Sequence, residues 1–165
     1  REVVHQMRAR ESAIMVGTNT ALHDNPQLNV RLADGQDPIR VVLDRTERLP
    51  KDFQLFDQQQ PTLCFTSNKE ECSSNLEYVK IDFTEQVVPQ VLSALYERNI
   101  QSLIVEGGQQ LLTEFIELGL WDEAFQFVGK AIFEGGIQAP EVPVSPTKVI
   151  DVEGDLLRVS FNDNR

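Results

Sequence analysis

Cysteine is nearly absent: the 165-residue chain has two, Cys64 and Cys72. A disulfide framework and a cysteine-based zinc centre both need more ligands than that, so no metal is expected and a reducing, cytoplasmic setting is the default. Cys64 lies in the apolar run Thr62-Leu63-Cys64-Phe65 and is expected to be a buried, inert thiol. No apolar run approaches the roughly 20 residues that span a bilayer, and no basic-then-apolar start reads as a secretion signal, so no membrane partner is expected. Histidine is scarce as well. His5 and His23 stand in no pattern for a metal or a catalytic triad. Neither a Gly-x-Gly-x-x-Gly nor a P-loop pattern occurs. The net charge is −11, and a chain short of positive charge is a poor match for a nucleic-acid backbone.

What positive charge there is clusters. Residues 1–50 hold seven basic and seven acidic side chains, residues 51–165 eight and nineteen. The basic residues of the first stretch are Arg1, Arg8, Arg10, Arg31, Arg40, Arg45 and Arg48, all arginines. Their planar forks grip phosphate in bidentate fashion, so a small anionic ligand is one reading and scattered surface arginines the other.

Apolar periodicity organises the chain into one domain of residues 1–165. It opens directly in a helical pattern over Arg1–Arg10, as a trimmed segment would. Ala13-Ile14-Met15-Val16 is a buried strand, and Asp24-Asn25-Pro26 is a stop signal. Strands are predicted at Ile39–Asp44, Thr62–Thr66, Tyr78–Ile81, Ser102–Val105 and Ala124–Val128. Val88, Val91, Leu92 and Leu95 predict a helix, with Pro89 tolerable in its first turn. Leu111, Leu112, Phe115 and Ile116 predict another that Gly119 ends. Lys148–Val152 and Leu156–Phe161, joined through Glu153-Gly154-Asp155, predict a terminal hairpin. Phe133-Glu134-Gly135-Gly136 through Pro146 reads as a surface loop. Alternating strands and helices imply an α/β fold, a mostly parallel sheet flanked by helices with antiparallel strands at one edge.

Ligands in such sheets bind where strands end. Val105-Glu106-Gly107-Gly108 runs a strand into glycines and a helix start, which suits phosphate but is also how a tight turn looks. Val16-Gly17-Thr18-Asn19-Thr20 with Asp24-Asn25-Pro26 and Arg31 gathers hydroxyls, an amide, a carboxylate and a guanidinium. It suits a polyhydroxylated phosphate, or is a helix cap and two turns. Trp121-Asp122-Glu123 reads as a packing aromatic followed by solvated acids.

The stretch from Met7-Arg8-Ala9-Arg10 through Gly17-Thr18-Asn19-Thr20 and Asp24-Asn25-Pro26-Gln27-Leu28-Asn29-Val30-Arg31 resembles the reductase domain of the bifunctional riboflavin-biosynthesis deaminase–reductase. Pro38–Asp44, Leu103–Gly108 with Leu111, and Leu120-Trp121-Asp122-Glu123 agree in order and spacing, so the resemblance covers most of residues 1–136. It implies a dihydrofolate-reductase-like fold and NADPH-dependent reduction of 5-amino-6-(5-phosphoribosylamino)uracil to its ribitylamino form. It further implies substrate contacts at Arg8, Leu28, Arg31 and Glu106, and catalytic roles for Asp24 and Glu106. Cofactor contacts are implied at Thr20, Asp24, Gly107, Gly108, Gln110 and Leu111. At position 45 the family commonly has Ser or Thr; Arg45 here pairs with the cofactor's extra phosphate or points to solvent. The resemblance implies an opening strand before Arg1, with substrate and cofactor contacts that a segment starting at Arg1 lacks. Such a segment is expected to bind weakly or be inactive. It also implies a homodimer, normally fused to a zinc deaminase domain whose His-x-Glu and Pro-Cys-x-x-Cys signature is absent here. Two rival readings stand beside it: a pteridine or diaminopyrimidine reductase of the same fold, and a non-catalytic dimerisation module using Leu156–Phe161.

Overall fold

The first strand, β1 (Ala13–Val16), is buried along its whole length, as four consecutive apolar residues require. In the computed structural model, which describes residues 1–131 and 135–163, it pairs in parallel with β2 (Ile39–Leu43) on one side. The strand on its other side is β6 (Leu103–Gly107). β2 pairs in parallel with β3 (Thr62–Thr66), and β3 with β5 (Leu76–Lys80). A short strand, β4 (Glu71–Ser73), adds antiparallel to β5, giving the order β4-β5-β3-β2-β1-β6. The five parallel strands therefore end on one common edge.

Helices lie between the strands in sequence: α1 (Glu2–Arg8) before β1, α2 (Thr18–Asp24) between β1 and β2, α3 (Val87–Glu97) between β5 and β6. Val88, Val91 and Leu95 of α3 are buried, the face that their i, i+3, i+7 spacing marked out. The core of this part is built from Ile14, Val16, Ala21, Leu28, Val42, Leu49, Leu55, Phe56, Cys64 and Tyr78. Arg1–Gly108 forms one compact unit and Gln109–Arg165 a second.

The second unit holds α4 (Gln109–Glu117) and an antiparallel sheet of order β7-β9-β8, with β7 at Glu123–Val128, β8 at Lys148–Val152 and β9 at Asp155–Phe161. α4 ends as expected. Gly119 takes φ +66°, its N–H bonds to the Ile116 carbonyl, and the Leu120 N–H bonds to that of Phe115, a pattern that satisfies the helix's last carbonyls. The β8–β9 hairpin turns on Glu153 and Gly154, both at positive φ, the handedness that matches strand twist. One expectation changes. The antiparallel strands do not extend the edge of the parallel sheet; β7 joins the hairpin through β9 in a sheet of its own. Strand propensity and period-2 patterning say that β7 is a strand, but not which sheet it enters. Residues 135–146 contain no helix or strand, and Phe133 and Glu134 of the expected loop lie outside the described residues.

Candidate active site

Glu106 is where the sheet departs from regularity. Met15 faces Val105, but Val16 faces Gly107, so Glu106 is an extra residue at the end of β6. Such a bulge frees a side chain from the pleat and re-aims it. Glu106 meets Arg8, at the end of α1, through two parallel hydrogen bonds: Nε donates to Oε1 at 2.7 Å and Nη2 to Oε2 at 2.6 Å. The two side chains are only 13% and 18% exposed. The bidentate fork fixes orientation as well as charge. Arg8 also donates through Nη1 to the Asn29 carbonyl, at 3.0 Å.

That last bond belongs to a series. Residues 25–31 form neither helix nor strand, yet side chains from other segments pin their backbone one residue after another. Gln54 Nε2 donates to the Asn25 carbonyl, at 2.7 Å, and Arg40 Nε to that of Gln27, at 2.9 Å. Gln60 Nε2 reaches the Leu28 carbonyl at 3.2 Å and also donates to the Pro38 carbonyl. The Val30 N–H donates to Asp37 Oδ1 at 2.6 Å, and the Arg31 N–H to His5 Nδ1 at 3.2 Å. Leu28 sits at φ +53° with its side chain in the core; side-chain burial and the Gln60 bond hold it in a conformation that leucine disfavours. Such a segment is fixed before any ligand arrives.

Arg40 anchors this arrangement from inside the sheet. It is 2% exposed and donates to the Gln54 carbonyl at 2.8 Å and to Asp57 Oδ1 at 2.7 Å. Burial pushes the Asp57 carboxyl up, but the hydrogen bonds from Arg40 and the Gln59 N–H, with the guanidinium's charge, outweigh it and leave the group below its ordinary value.

The implied substrate positions are thus partly brought together. Arg8 links Glu106 to the Asn29 carbonyl, and Arg31, in the same segment, is exposed with Nη1 at 3.1 Å from Asn29 Oδ1. Leu28 presents only backbone. Asp24 is exposed at the end of α2.

On α2, Thr20 fills the space beside Gly107: a Cβ there would come within 3.0 Å of Thr20 Cγ2 and 3.2 Å of Oγ1. Gly108 takes φ +90° and lies beside Gly17, whose N–H bonds to the Gly107 carbonyl. The glycine pair thus lets β6 and α2 approach closely. Gln110 and Leu111 fall in the second unit, the first exposed and the second buried.

Arg45 lies just past β2, beside Ser67 and Lys80 at the ends of β3 and β5. Together with Phe83 they line a cavity of about 560 Å³, with Glu70 and Asp82 also on its wall. The Arg45 guanidinium lies 6.0 Å from the Phe83 ring centre. A guanidinium, an ammonium, a hydroxyl and an aromatic face fit a ligand that carries both a phosphate and a flat ring. Asp44, by contrast, is spent on structure: its carboxylate accepts the Arg48 and Leu49 N–H groups.

His5, Asp57 and Gln60 were not picked out as site residues by sequence reasoning, and Arg40 only as one of seven arginines that could grip an anion, whereas it is buried and bonded within the fold. Only Arg40 carried a signal, a charged residue inside the apolar strand Ile39-Arg40-Val41-Val42-Leu43, which must find a buried partner. No group of three or more His, Cys, Asp or Glu that could hold a metal occurs among the described residues. Among them, too, no helix is long and apolar enough to cross a membrane.

A profile of the RibD C-terminal domain family matches residues 1–150. The chain belongs to that family. It is 36% identical, with a TM-score of 0.82, to a Thermotoga maritima protein described as a diaminohydroxyphosphoribosylaminopyrimidine deaminase and 5-amino-6-(5-phosphoribosylamino)uracil reductase. That match covers 98% of this chain and 48% of the other. A 2,5-diamino-6-ribosylamino-4(3H)-pyrimidinone 5′-phosphate reductase of Aquifex aeolicus is 30% identical over 83% of this chain and 64% of its own length. The riboflavin biosynthesis protein RibD of Synechocystis is 35% identical over 85% of this chain and 39% of its own. The chain therefore spans less than two thirds of each of these relatives.

Proposed function

We propose that the chain reduces the ribosyl group of 5-amino-6-(5-phosphoribosylamino)uracil to the ribityl form with NADPH. The observation that carries this reading is the convergence of the Arg8–Glu106 pair and the pinned 27–31 segment at the end of β6. It is an arginine-rich, preorganised place on the sheet edge where ligands of α/β folds bind. The relatives' names supply the substrate class.

When bound, a reduced nicotinamide supplies the hydride that converts the ribosylamino carbon to its ribitylamino form. The chain's own residues do the rest. Arg31, exposed beside Asn29, offers its guanidinium to the substrate's phosphate or uracil oxygens. Glu106, clamped by Arg8, presents a carboxylate of fixed orientation to the substrate's polar hydrogens. Asp24 and Thr20 stand on α2 for the reacting sugar and the nicotinamide end. Gly107 and Gly108 stand for the cofactor's phosphates. Arg45, with Lys80 and Ser67, takes the phosphate that distinguishes NADPH from NADH, while Phe83 takes the adenine. Residues 1–165 act as one reductase domain in this reading, in a cytoplasmic homodimer fused to a zinc deaminase domain in the complete polypeptide.

A second reading shares the site but takes the 2,5-diaminopyrimidinone analogue, the substrate named for the Aquifex relative. The test is turnover by the full-length polypeptide, followed as nicotinamide oxidation, with each pyrimidine and each cofactor. Oxidation of NADPH only when the uracil substrate is present supports the first reading, and preference for the diamino analogue supports the second. Glu106→Ala should abolish turnover in either case. Arg45→Ala should erode the preference for NADPH over NADH by about tenfold or more, the worth of a charge-assisted hydrogen bond. Failure to oxidise NADPH with both substrates refutes the enzymatic reading.

A further inference from the structure

We propose that His5 is a positioning residue: as a neutral imidazole it holds the turn that presents Arg31 to the substrate. The inference rests on the substrate-side role given to Arg31 above, but its geometry stands apart from it. His5 is the buried residue of α1, at 5% exposure. Its Nδ1 accepts the Arg31 N–H at 3.2 Å, across 26 residues of sequence. Arg8, three residues further along the same helix face, takes the Asn29 carbonyl. One helical turn of α1 therefore grips the segment at two points two residues apart, one through an acceptor and the other through a donor.

An imidazole nitrogen that accepts a hydrogen bond carries no proton. Protonating Nδ1 would set two donors face to face. The groups around the ring are Arg8 on its own helix, Arg31 in the segment, and Glu106 at the end of β6. The Glu106 carboxylate is already engaged by Arg8. Burial, then the charges of Arg8 and Arg31, hold the His5 pKa below its ordinary 6.5; the bond that the ring donates to the Asn29 backbone carbonyl and the Glu106 charge pull the other way without prevailing. The folded protein therefore keeps the ring neutral to a lower pH than an unfolded chain would. As the pH falls through that folded value the Arg31 hold is lost.

The experiment combines hydrogen exchange with kinetics on the full-length polypeptide. Protection of the Arg31 amide, corrected for its intrinsic exchange rate, is followed against pH beside the NMR titration of the His5 ring. Protection is expected to fall about fivefold or more on the same curve as the ring. In His5→Ala it is expected to be low at every pH, and in His5→Asn, whose Oδ1 is an acceptor that does not titrate, to persist without the pH step. Protection that ignores the ring's titration overturns the proposal, as does an unchanged pH step in His5→Asn, which decides the matter even if His5→Ala fails to fold. With phosphorylated substrate, KM should rise about fivefold in His5→Ala with kcat little changed, and His5→Asn should restore it. The substrate phosphate itself titrates near pH 6, so the pH step in KM that His5→Asn removes is the part belonging to His5. A KM indifferent to His5→Ala overturns the positioning role. Absence of turnover with any pyrimidine refutes the functional reading instead, while the exchange data still decide who holds the turn.

Discussion

Arg40→Met isolates the internal anchor of the 25–31 segment. Methionine keeps the length and much of the apolar volume of the arginine stem, so little cavity opens and the loss is polar. Three hydrogen bonds go: to the Gln27 and Gln54 carbonyls and to Asp57. The Arg40 side chain is 3% exposed, that of Asp57 27%. The carboxylate left behind can reach water, whereas the carbonyls lose a charged donor in a drier place. Breaking one side of a buried pair costs about 3–5 kcal/mol; with Asp57 partly solvated, the loss should fall near the middle, about 4 kcal/mol. Asp57→Asn leaves the guanidinium its two carbonyls and an amide oxygen, and should cost about 1 kcal/mol. Urea unfolding followed at constant m-value reads both, and the double variant gives the coupling. Asp57, held below its ordinary 3.8 in the folded state, contributes stability that is present above that value and lost as the pH falls through the folded one. Arg40→Met should blunt that acid sensitivity. Equal costs for the two single variants, or an Arg40→Met loss under about 1 kcal/mol, would refute the claim that the buried guanidinium organises this region.

Other consequences are simpler to measure. Burial pushes the Cys64 thiol up to about 12, while Cys72 is exposed; a thiol reagent at neutral pH should therefore label Cys72 alone in the folded protein and both residues in denaturant. Gly107→Ala should cost about 1 kcal/mol, because its Cβ would crowd the stiff Thr20 side chain, and Thr20→Ala should recover most of that loss in thermal melts. Glu106→Gln keeps the shape of the fork but removes its charge. It should cost about 1–2 kcal/mol in urea unfolding, and an unchanged midpoint would show the ion pair to be idle.

Much of the fold was legible in the sequence because burial on both faces leaves uninterrupted apolar runs, and Ala13–Val16 and Thr62–Thr66 form strands at those bounds. β4 was not legible: Glu71-Cys72-Ser73 is exposed throughout, so no periodicity marks it, and only pairing with β5 makes it a strand. The site divides in the same way. Glycines after a strand pointed to Glu106, the polar cluster after β1 to Arg31, and the family resemblance to Arg8. The Arg8–Glu106 bond joins residues 98 apart, a proximity that no local spacing encodes. The pins on 25–31 come from Gln54, Arg40, Gln60, Arg8, Asp37 and His5, ordinary polar residues whose role exists only once the chain has folded. The bulge that frees Glu106 is likewise a property of β1 and β6 together.

The neighbours of β1 also set an order of events for a chain leaving the ribosome. Ala13 faces Ile39 on one side and Leu103 on the other. At about 5–20 residues per second, β2 emerges soon after β1, but β6 follows only after some seconds more. For that interval Ala13-Ile14-Met15-Val16 has one flank unpaired, an apolar edge of the kind that recruits other chains. Long-range parallel pairing is slow to form in any case. Yield of soluble protein should therefore depend on chaperone supply during synthesis more than on the stability of the finished fold.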